Sequence, residues 1–474
     1  MKKIWLAALF CIFTATVVSQ PTAPAAGISG PAVDERVEIM SIAARLAEYD
    51  EYSMDFNKQY VAAIHQYFDP FKDHPLIRYM RSVRESNDIG FDAVMGMAIH
   101  LSPPPALEPL VPFTATVPEK RWGADSALKL ALLLRQFYKD TKFGNWFGRN
   151  AALYQQATDA FGKVFGQLDV QWYYHYYGIV PKGEFRVVLG LANGGGNYGP
   201  KVVWPDGKET FYAIMGAWSF DSTGRPVFDV KGYLPTLIHE FNHSFVNYLT
   251  EKYKASFGAT GDTIYSVVGA KMQRQAYADW PVMFSEALVR ASVIRYLMVH
   301  NRDSAVAKKE LAQQMSIGFV WMDQLVDLLG VYESDRKKYP TLESFMPRIV
   351  NFYQTTAANI RGLVAAYGEL QPHVRSIDPF RNGDSAVDPG LTTIKIHFDK
   401  PLAGNGVSIN YGTGGREHYP ITKFLGYADD NNSILLQLAL KPDTEYQFIL
   451  TGGHFRTPDG HPLVEYEVHF KTGK

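Results

Sequence analysis

Cysteine is nearly absent from this 474-residue sequence: Cys11 is the only one, and it sits in an apolar stretch near the amino terminus. Beyond that stretch, disulfides, thiol nucleophiles and thiolate-ligated metals are excluded, so a metal site would have to be built from His, Asp and Glu. An excess of one charge is lacking too. Lys and Arg together number 47 and Asp and Glu 48, for a net charge of −1, with no long run of one sign. That balance offers no electrostatic footprint for nucleic acid or an anionic membrane. Long hydrophobic runs are also missing. The apolar stretch Ile4–Val18 is shorter than the roughly 20 residues that span a bilayer.

That stretch has the layout of a secretory signal. Lys2 and Lys3 precede it, and the small residues Val17 and Ser19 suit a cleavage site, so residues 1–19 are expected to be removed. The alternative is an uncleaved anchor. Leu9 and Phe10 before Cys11 do not suit lipid attachment. With the signal removed, no membrane span is expected, and the protein is expected to be secreted or periplasmic.

Hydrophobic residues make up 46% and charged residues 20%, which describes a globular chain long enough for two or three domains. Residues 20–35 begin with a Pro/Ala/Gly-rich stretch and read as a flexible lead-in. Apolar residues at three- and four-residue spacing then predict helices over 36–48, 56–68, 124–140 and 150–166. The aromatic run 171–178, His175 included, reads as packing. Strands are expected at Phe185–Leu191 and Thr210–Met215, with turns at Asn193–Asn197 and Pro205–Gly207 between them. Helices are expected again over 232–252, 280–299, 305–330 and 342–366. At Gln371-Pro372 the character changes to short β-type runs separated by turns (392–398, 433–440, 446–450, 466–470), which indicates a β-sandwich over 371–474.

The chemistry-bearing motif is His239-Glu240-Phe241-Asn242-His243. Two histidines four apart stand one turn above each other on a helix, where they can take two corners of a tetrahedral zinc site. Glu240 projects beside them, where it can accept a proton from water. At 100° per residue, Leu234, Leu237, Ile238, Phe241, Phe245 and Leu249 form the apolar face, and both histidines fall opposite it. They therefore face a cleft, a neighbouring domain or solvent. Pro235 suits only a first turn, so this helix is expected to start between Lys231 and Leu234.

An HExxH helix followed by a helix with a lone Glu resembles the gluzincin group of zinc metallopeptidases. The string His239–Asn247, with Ser285-Glu286-Ala-Leu-Val-Arg290 downstream, resembles an uncharacterised family of secreted bacterial proteins with a metallopeptidase-like domain. The closer likeness covers about residues 180–300. It implies a mainly helical α+β zincin-like catalytic domain over 36–370. The strings Ile396–Leu402, Leu440–Tyr446 and Asp459–Leu463 resemble bacterial Ig-like modules, which are spacers or adhesive units.

Two histidines leave zinc in need of a third protein ligand. The metzincin pattern is excluded, because Val246 and Leu249 stand where it requires Gly and His. Glu286 is the expected ligand: its surroundings are apolar, and a buried carboxylate needs a compensating cation. Its other reading is an ion pair with Arg290, one turn on, which could also orient the carboxylate toward the metal. Asp262 is the rival, since Thr260-Gly-Asp262-Thr-Ile-Tyr265 resembles the aspzincin core, with Ala259 and Ser266 replacing flanking glycines. Asp262 also suits a helix N-cap before Ile264–Val268.

Tyr233, Tyr265 and Tyr277 are candidates for oxyanion stabilisation. Strand 210–215 is a candidate for pairing with an extended peptide, and Gly194–Gly196 read either as a site of close substrate approach or as a plain mobile turn. The expectation is one zinc ion on His239, His243 and Glu286, Glu240 as general base, and a peptide or protein substrate. The reading from another class is a non-catalytic surface or scaffold protein that keeps the fold for binding.

Overall fold

Two hydrophobic cores organise the chain, one running from Val37 to Tyr367 and the other from Ile377 to Phe470. The structure, a computed structural model, describes residues 27–179, 183–301 and 303–474. The expected signal peptide, Cys11 and the first part of the lead-in lie outside the described residues.

Helices dominate the first core. Before its sheet come α1 (Glu35–Leu46), α2 (Lys58–Phe68), α3 (Pro75–Asn87), α4 (Asp92–Ile99), α5 (Gly123–Asp140), α6 (Phe143–Arg149), α7 (Ala151–Phe165) and α8 (Val170–Tyr177). After it come α9 (Val230–Lys252), α10 (Lys254–Phe257), α11 (Ala259–Gln273), α12 (Trp280–His300), α13 (Ser304–Ser316), α14 (Met322–Ser334) and α15 (Leu342–Leu370). Aspartates set many of the starts. Asp34, Asp169, Asp229, Asp279 and Asp303 each accept a backbone N–H from the first turn of the helix that follows. The expected helix over 305–330 is two helices, because Gly318 lies at φ +121° and an α-helix cannot run through that conformation.

The sheet has the order β1-β2-β4-β3, from β1 (Ile28–Val33), β2 (Gly183–Gly190), β3 (Lys201–Val203) and β4 (Glu209–Gly216). β1, β2 and β4 are parallel, and β3 runs antiparallel to β4 at one edge. Two expectations are corrected. Part of the lead-in is strand β1, held by its ladder to β2, and strand 210–215 is no edge, because β3 covers its outer side. Aromatic rings join this sheet to α9 and α8: Phe185 lies 5.0 Å from Phe211 and 5.2 Å from Phe241, and Tyr177 stacks on Phe245 at 4.4 Å. The run 171–178 is thus packing at Trp172, Tyr173, Tyr176 and Tyr177, whereas His175 is on the exposed face of α8.

The second core lies between two antiparallel sheets, β5-β6-β9-β8 and β11-β10-β7. Their strands are β5 (Val374–Asp378), β6 (Thr393–Phe398), β7 (Ile409–Tyr411), β8 (Ile421–Ala428), β9 (Ser433–Leu438), β10 (Glu445–Leu450) and β11 (Tyr466–Lys471). Ile394, Ile396, Ile434 and Leu436 of one sheet and Phe448, Leu450, Val468 and Phe470 of the other alternate inward, as period-2 patterning requires. The chain is therefore multidomain, a helix-rich α+β unit followed by an all-β unit. Among the described residues no helix is long and apolar enough to cross a membrane.

One buried acid ties the helical layer to the sheet. Glu38 of α1 is fully buried and accepts the N–H groups of Leu191 and Ala192, at 2.6 and 3.3 Å, and the Tyr60 hydroxyl at 2.7 Å. Burial pushes its carboxyl up to about 7, although those three donors pull the other way. A carboxyl raised in the folded state stabilises the fold below its unfolded value and loses that contribution as pH rises toward 7. Between pH 4 and 8 the wild type should lose about 3 kcal/mol more stability than Glu38→Gln, at about 1.4 kcal/mol per unit. Urea unfolding of both proteins at the two pH values measures this, and parallel pH dependences would show that Glu38 does not titrate there.

Candidate metal centre

α9 carries the HExxH residues as its amphipathicity requires. Leu237, Ile238, Phe241, Phe245 and Leu249 are buried, while His239 and His243 keep 17% and 16% side-chain exposure, His239 in the wall of a pocket. The helix starts earlier than expected, at Val230, because the Asp229 carboxylate caps it by accepting Gly232 N–H at 3.2 Å. Pro235 consequently lies inside the helix. α12 crosses against α9, and the buried Asn242 pins the pair by donating from Nδ2 to the Val289 carbonyl at 3.2 Å.

This crossing brings Glu286 of α12 onto the two histidines. His239 Nε2 and His243 Nε2 are 3.1 Å apart, and each lies 3.5 and 3.4 Å, respectively, from a carboxylate oxygen of Glu286. Among the described residues these three form the one group of His, Cys, Asp or Glu side chains spaced to hold a metal ion. Bond lengths of about 2.0–2.1 Å in a tetrahedral zinc site put ligand atoms about 3.3–3.4 Å apart. The donor set and its spacing therefore fit zinc. Asp262 is not part of the group: it is exposed on α11, whose N-cap is Gly258, so neither reading made of it holds.

Neighbouring side chains aim two of the three candidate ligands, His243 and Glu286. His243 Nδ1 lies 3.1 Å from Asn247 Oδ1, an acceptor that also takes the Ser285 hydroxyl at 2.7 Å. Nδ1 therefore carries the proton, and Nε2 presents a lone pair to the cluster. Burial holds His239 well below the usual histidine range, so its ring is neutral. Burial also acts to raise Glu286, but the charge and donors around it, Arg290 and the Tyr277 hydroxyl among them, outweigh it and hold the carboxyl below the usual carboxylate range.

Arg290 and Tyr277 complete this shell. Arg290 Nε lies 3.3 Å from Glu286 Oε2, its Nη2 donates to the Tyr277 hydroxyl at 2.6 Å, and that hydroxyl donates to Glu286 Oε2 at 2.9 Å. Arg290 Nη1 donates to Gln314 Oε1 at 2.9 Å, and Gln314 Nε2 donates to Glu310 Oε1 at 2.6 Å. The ion-pair reading of Arg290 is realised, and through Tyr277 Arg290 also contacts the group that donates to Glu286. The three oxyanion candidates separate. Tyr233 is buried under Trp218, accepting its N–H at 2.9 Å, and Tyr265 donates to the Tyr277 carbonyl at 2.7 Å. Only Tyr277 reaches the cluster, with its hydroxyl engaged by Glu286 and Arg290. Asn247 sits one turn after His243, a spacing visible in the sequence. Gln314 and Glu310 arrive on α13, which no local pattern links to the motif.

Glu240 is buried beside the candidate ligands, and burial pushes its carboxyl up to about 7. The segment leading into β3 passes over it. A Cβ on Gly199 would come within 3.0 Å of Glu240 Oε2, so glycine is what allows this approach. Tyr198 exchanges both backbone hydrogen bonds with Ile214, at 3.0 and 2.9 Å, and Pro200 O accepts Tyr212 N–H at 2.9 Å. In an antiparallel ladder the intervening residue turns its backbone groups outward. Gly199 N–H and C=O accordingly have no partner among the described residues. The glycines of 194–196 do something else: side chains there would collide with Glu51 O, the Phe56 ring and the Tyr198 hydroxyl, so glycine lets that turn pack closely against protein.

No curated protein matches this chain. Solved structures of the surface-layer protein SbsC align with it at very low similarity. The structure of its domains 1-6 is 14% identical at a TM-score of 0.18, covering 51% of this chain and 33% of that one. The structure of its N-terminal part is 14% identical at 0.17, covering 51% and 58%. The chain thus spans about a third of the first of these, and TM-scores this low carry no argument. Residues 31–352, which include His239, Glu240, His243 and Glu286, match the family described as Domain of unknown function (DUF4932), and the chain belongs to that family.

Proposed function

We propose that the protein is a secreted zinc-dependent hydrolase, a peptidase of gluzincin type with a zincin-like catalytic unit. The observation that carries this reading is the convergence of His239, His243 and Glu286 at tetrahedral-edge spacing beside a buried carboxylate, Glu240, that is not itself in the ligand group. A site meant only to hold a metal has no use for a fourth, unligated acid.

Zinc bound there would supply Lewis acidity and bring the pKa of water down to about 7. The chain's own residues supply the rest. Glu240 takes the proton of the attacking water and returns it to the leaving amine, so that an amide bond breaks as a carboxyl forms. Gly199, with its backbone groups turned outward above Glu240, offers an extended peptide one residue of main-chain pairing. The amino-terminal signal would deliver this activity outside the cytoplasm, and the all-β unit, Ig-like in its motifs, would serve as a spacer or adhesive module.

Metal analysis of purified mature protein should find about one zinc per chain. His239→Ala and His243→Ala should each abolish tight binding, and the wild type should cut a broad peptide library. Full occupancy in the double variant would put the metal elsewhere. A zinc-loaded protein that cuts nothing would favour a scaffold role.

A further inference from the structure

A polar pocket of about 450 Å³ opens beside the candidate centre, with His239 and Glu240 in its wall. Its remaining walls come from Asn197 ahead of β3, from the first turns of α9, from α12, and from α13 with Ile317 just beyond it. Pro235, Val293 and Ile317 supply apolar surface, suited to a stem of methylene groups. What lies at the polar end decides which side chain fits.

Three charged side chains line the pocket besides Glu240, and they are not equivalent. Arg290 is committed: its Nε faces Glu286, Nη1 bonds to Gln314 and Nη2 to Tyr277. Lys231 is exposed in the first turn of α9 and forms no ion pair among the described residues, so it stays solvated and loses side-chain entropy if drawn inward. Glu310 is half-buried and held in place, because its Oε1 accepts Gln314 Nε2 at 2.6 Å. Its other oxygen has no partner among the described residues, and no cation lies within ion-pair distance of it there. Besides Glu240, the carboxylate oxygen in this pocket with no hydrogen-bond or ion-pair partner among the described residues is therefore on Glu310, whose charge also acts on Arg290 through space.

We propose that the pocket receives a long basic side chain of the substrate, lysine or arginine, with Glu310 as its carboxylate partner. The proposal rests on the hydrolase reading and adds a substrate class to it. The stem would lie along Val293, Ile317 and Pro235, and the cationic head would meet a preorganised acceptor. Preorganisation makes such a contact stronger than one with a mobile surface charge.

Amino-acid hydroxamates test this without turnover, since they chelate an active-site metal while presenting one side chain. Binding of lysine, leucine and glutamate hydroxamates to the zinc-loaded full chain would be measured by calorimetry. Lysine hydroxamate should bind at least about tenfold more tightly than the other two, the scale of one charge-assisted hydrogen bond. Glu310→Gln should erase that preference, and Glu310→Lys should transfer it to the glutamate compound. Equal affinities for all three would overturn the pocket assignment and leave the metal reading standing. A glutamate preference in the wild type would overturn it in favour of Lys231. If Glu310→Gln weakens zinc binding and leaves the preference intact, Glu310 is a counter-charge to Arg290 and the proposal fails. A chain that binds neither zinc nor any hydroxamate would remove the hydrolase reading as well.

Discussion

Glu240→Gln is expected to keep its zinc and to lose about 10² to 10⁴ in the rate of peptide hydrolysis, the usual contribution of a general acid–base residue. The assignment follows from position. Glu240 lies between the two histidines in sequence yet outside the ligand group, buried, with Gly199 directly above its carboxylate. An amide in its place fills the same space and has similar helix propensity, so α9 and its two histidines should be unmoved. What it lacks is the ability to take a proton from water at neutral pH. The comparison is made on peptides from a library that the wild type cuts, with zinc content measured on the same samples. A variant that cuts those peptides as fast as the wild type would sink the mechanism even with the metal in place.

The second large effect concerns Glu286, the proposed third ligand, and its support. Glu286→Gln removes an anionic donor within 3.5 Å of both histidines and should collapse zinc affinity, whereas Asp262→Asn, on the exposed face of α11, should leave it unchanged. Loss of an outer partner is smaller but still large, typically about 10- to 100-fold in metal affinity. Tyr277→Phe and Gln314→Leu should both fall in that range, because one removes a donor to Glu286 and the other releases Arg290. Competition with a chromogenic chelator measures these affinities directly. A general loss of stability would mimic the effect, and a paired exchange separates the two. Gln314→Glu combined with Glu310→Gln keeps the net charge: the carboxylate at 314 still accepts from Arg290, and the bond between positions 314 and 310 can re-form with donor and acceptor exchanged. It should recover most of the affinity that Gln314→Leu loses. Failure of the pair to recover, with thermal stability restored, would show that the network holds the fold and not the ligand.

Local pattern made a good part of this architecture legible. The helical segments 36–48, 56–68, 124–140, 150–166, 232–252, 280–299 and 342–366 correspond to α1, α2, α5, α7, α9, α12 and α15 with small shifts at their ends. Their apolar stripes repeat within a few residues and need no distant partner to be read. The short parallel strand β1 and the edge strand β3 escaped for the opposite reason. Ile28–Val33 contains Gly30 and Pro31, and Lys201–Val203 is too short to alternate, so each becomes a strand only through its neighbour.

For the candidate site, the sequence determined which residues could carry chemistry: the absence of cysteine outside the amino terminus limited the possible ligands, the i, i+4 spacing put His239 and His243 on one face, and the apolar context of Glu286 marked a carboxylate suited to a cation. Tertiary structure alone decided what surrounds them. The crossing of α12 over α9 sets the distances to Glu286, the docking of α13 brings Gln314 and Glu310 to Arg290, and the segment leading into the edge strand carries Gly199 over Glu240. Helical periodicity is a property of neighbouring residues, whereas these contacts depend on how separate elements pack, and no short window of sequence contains both partners.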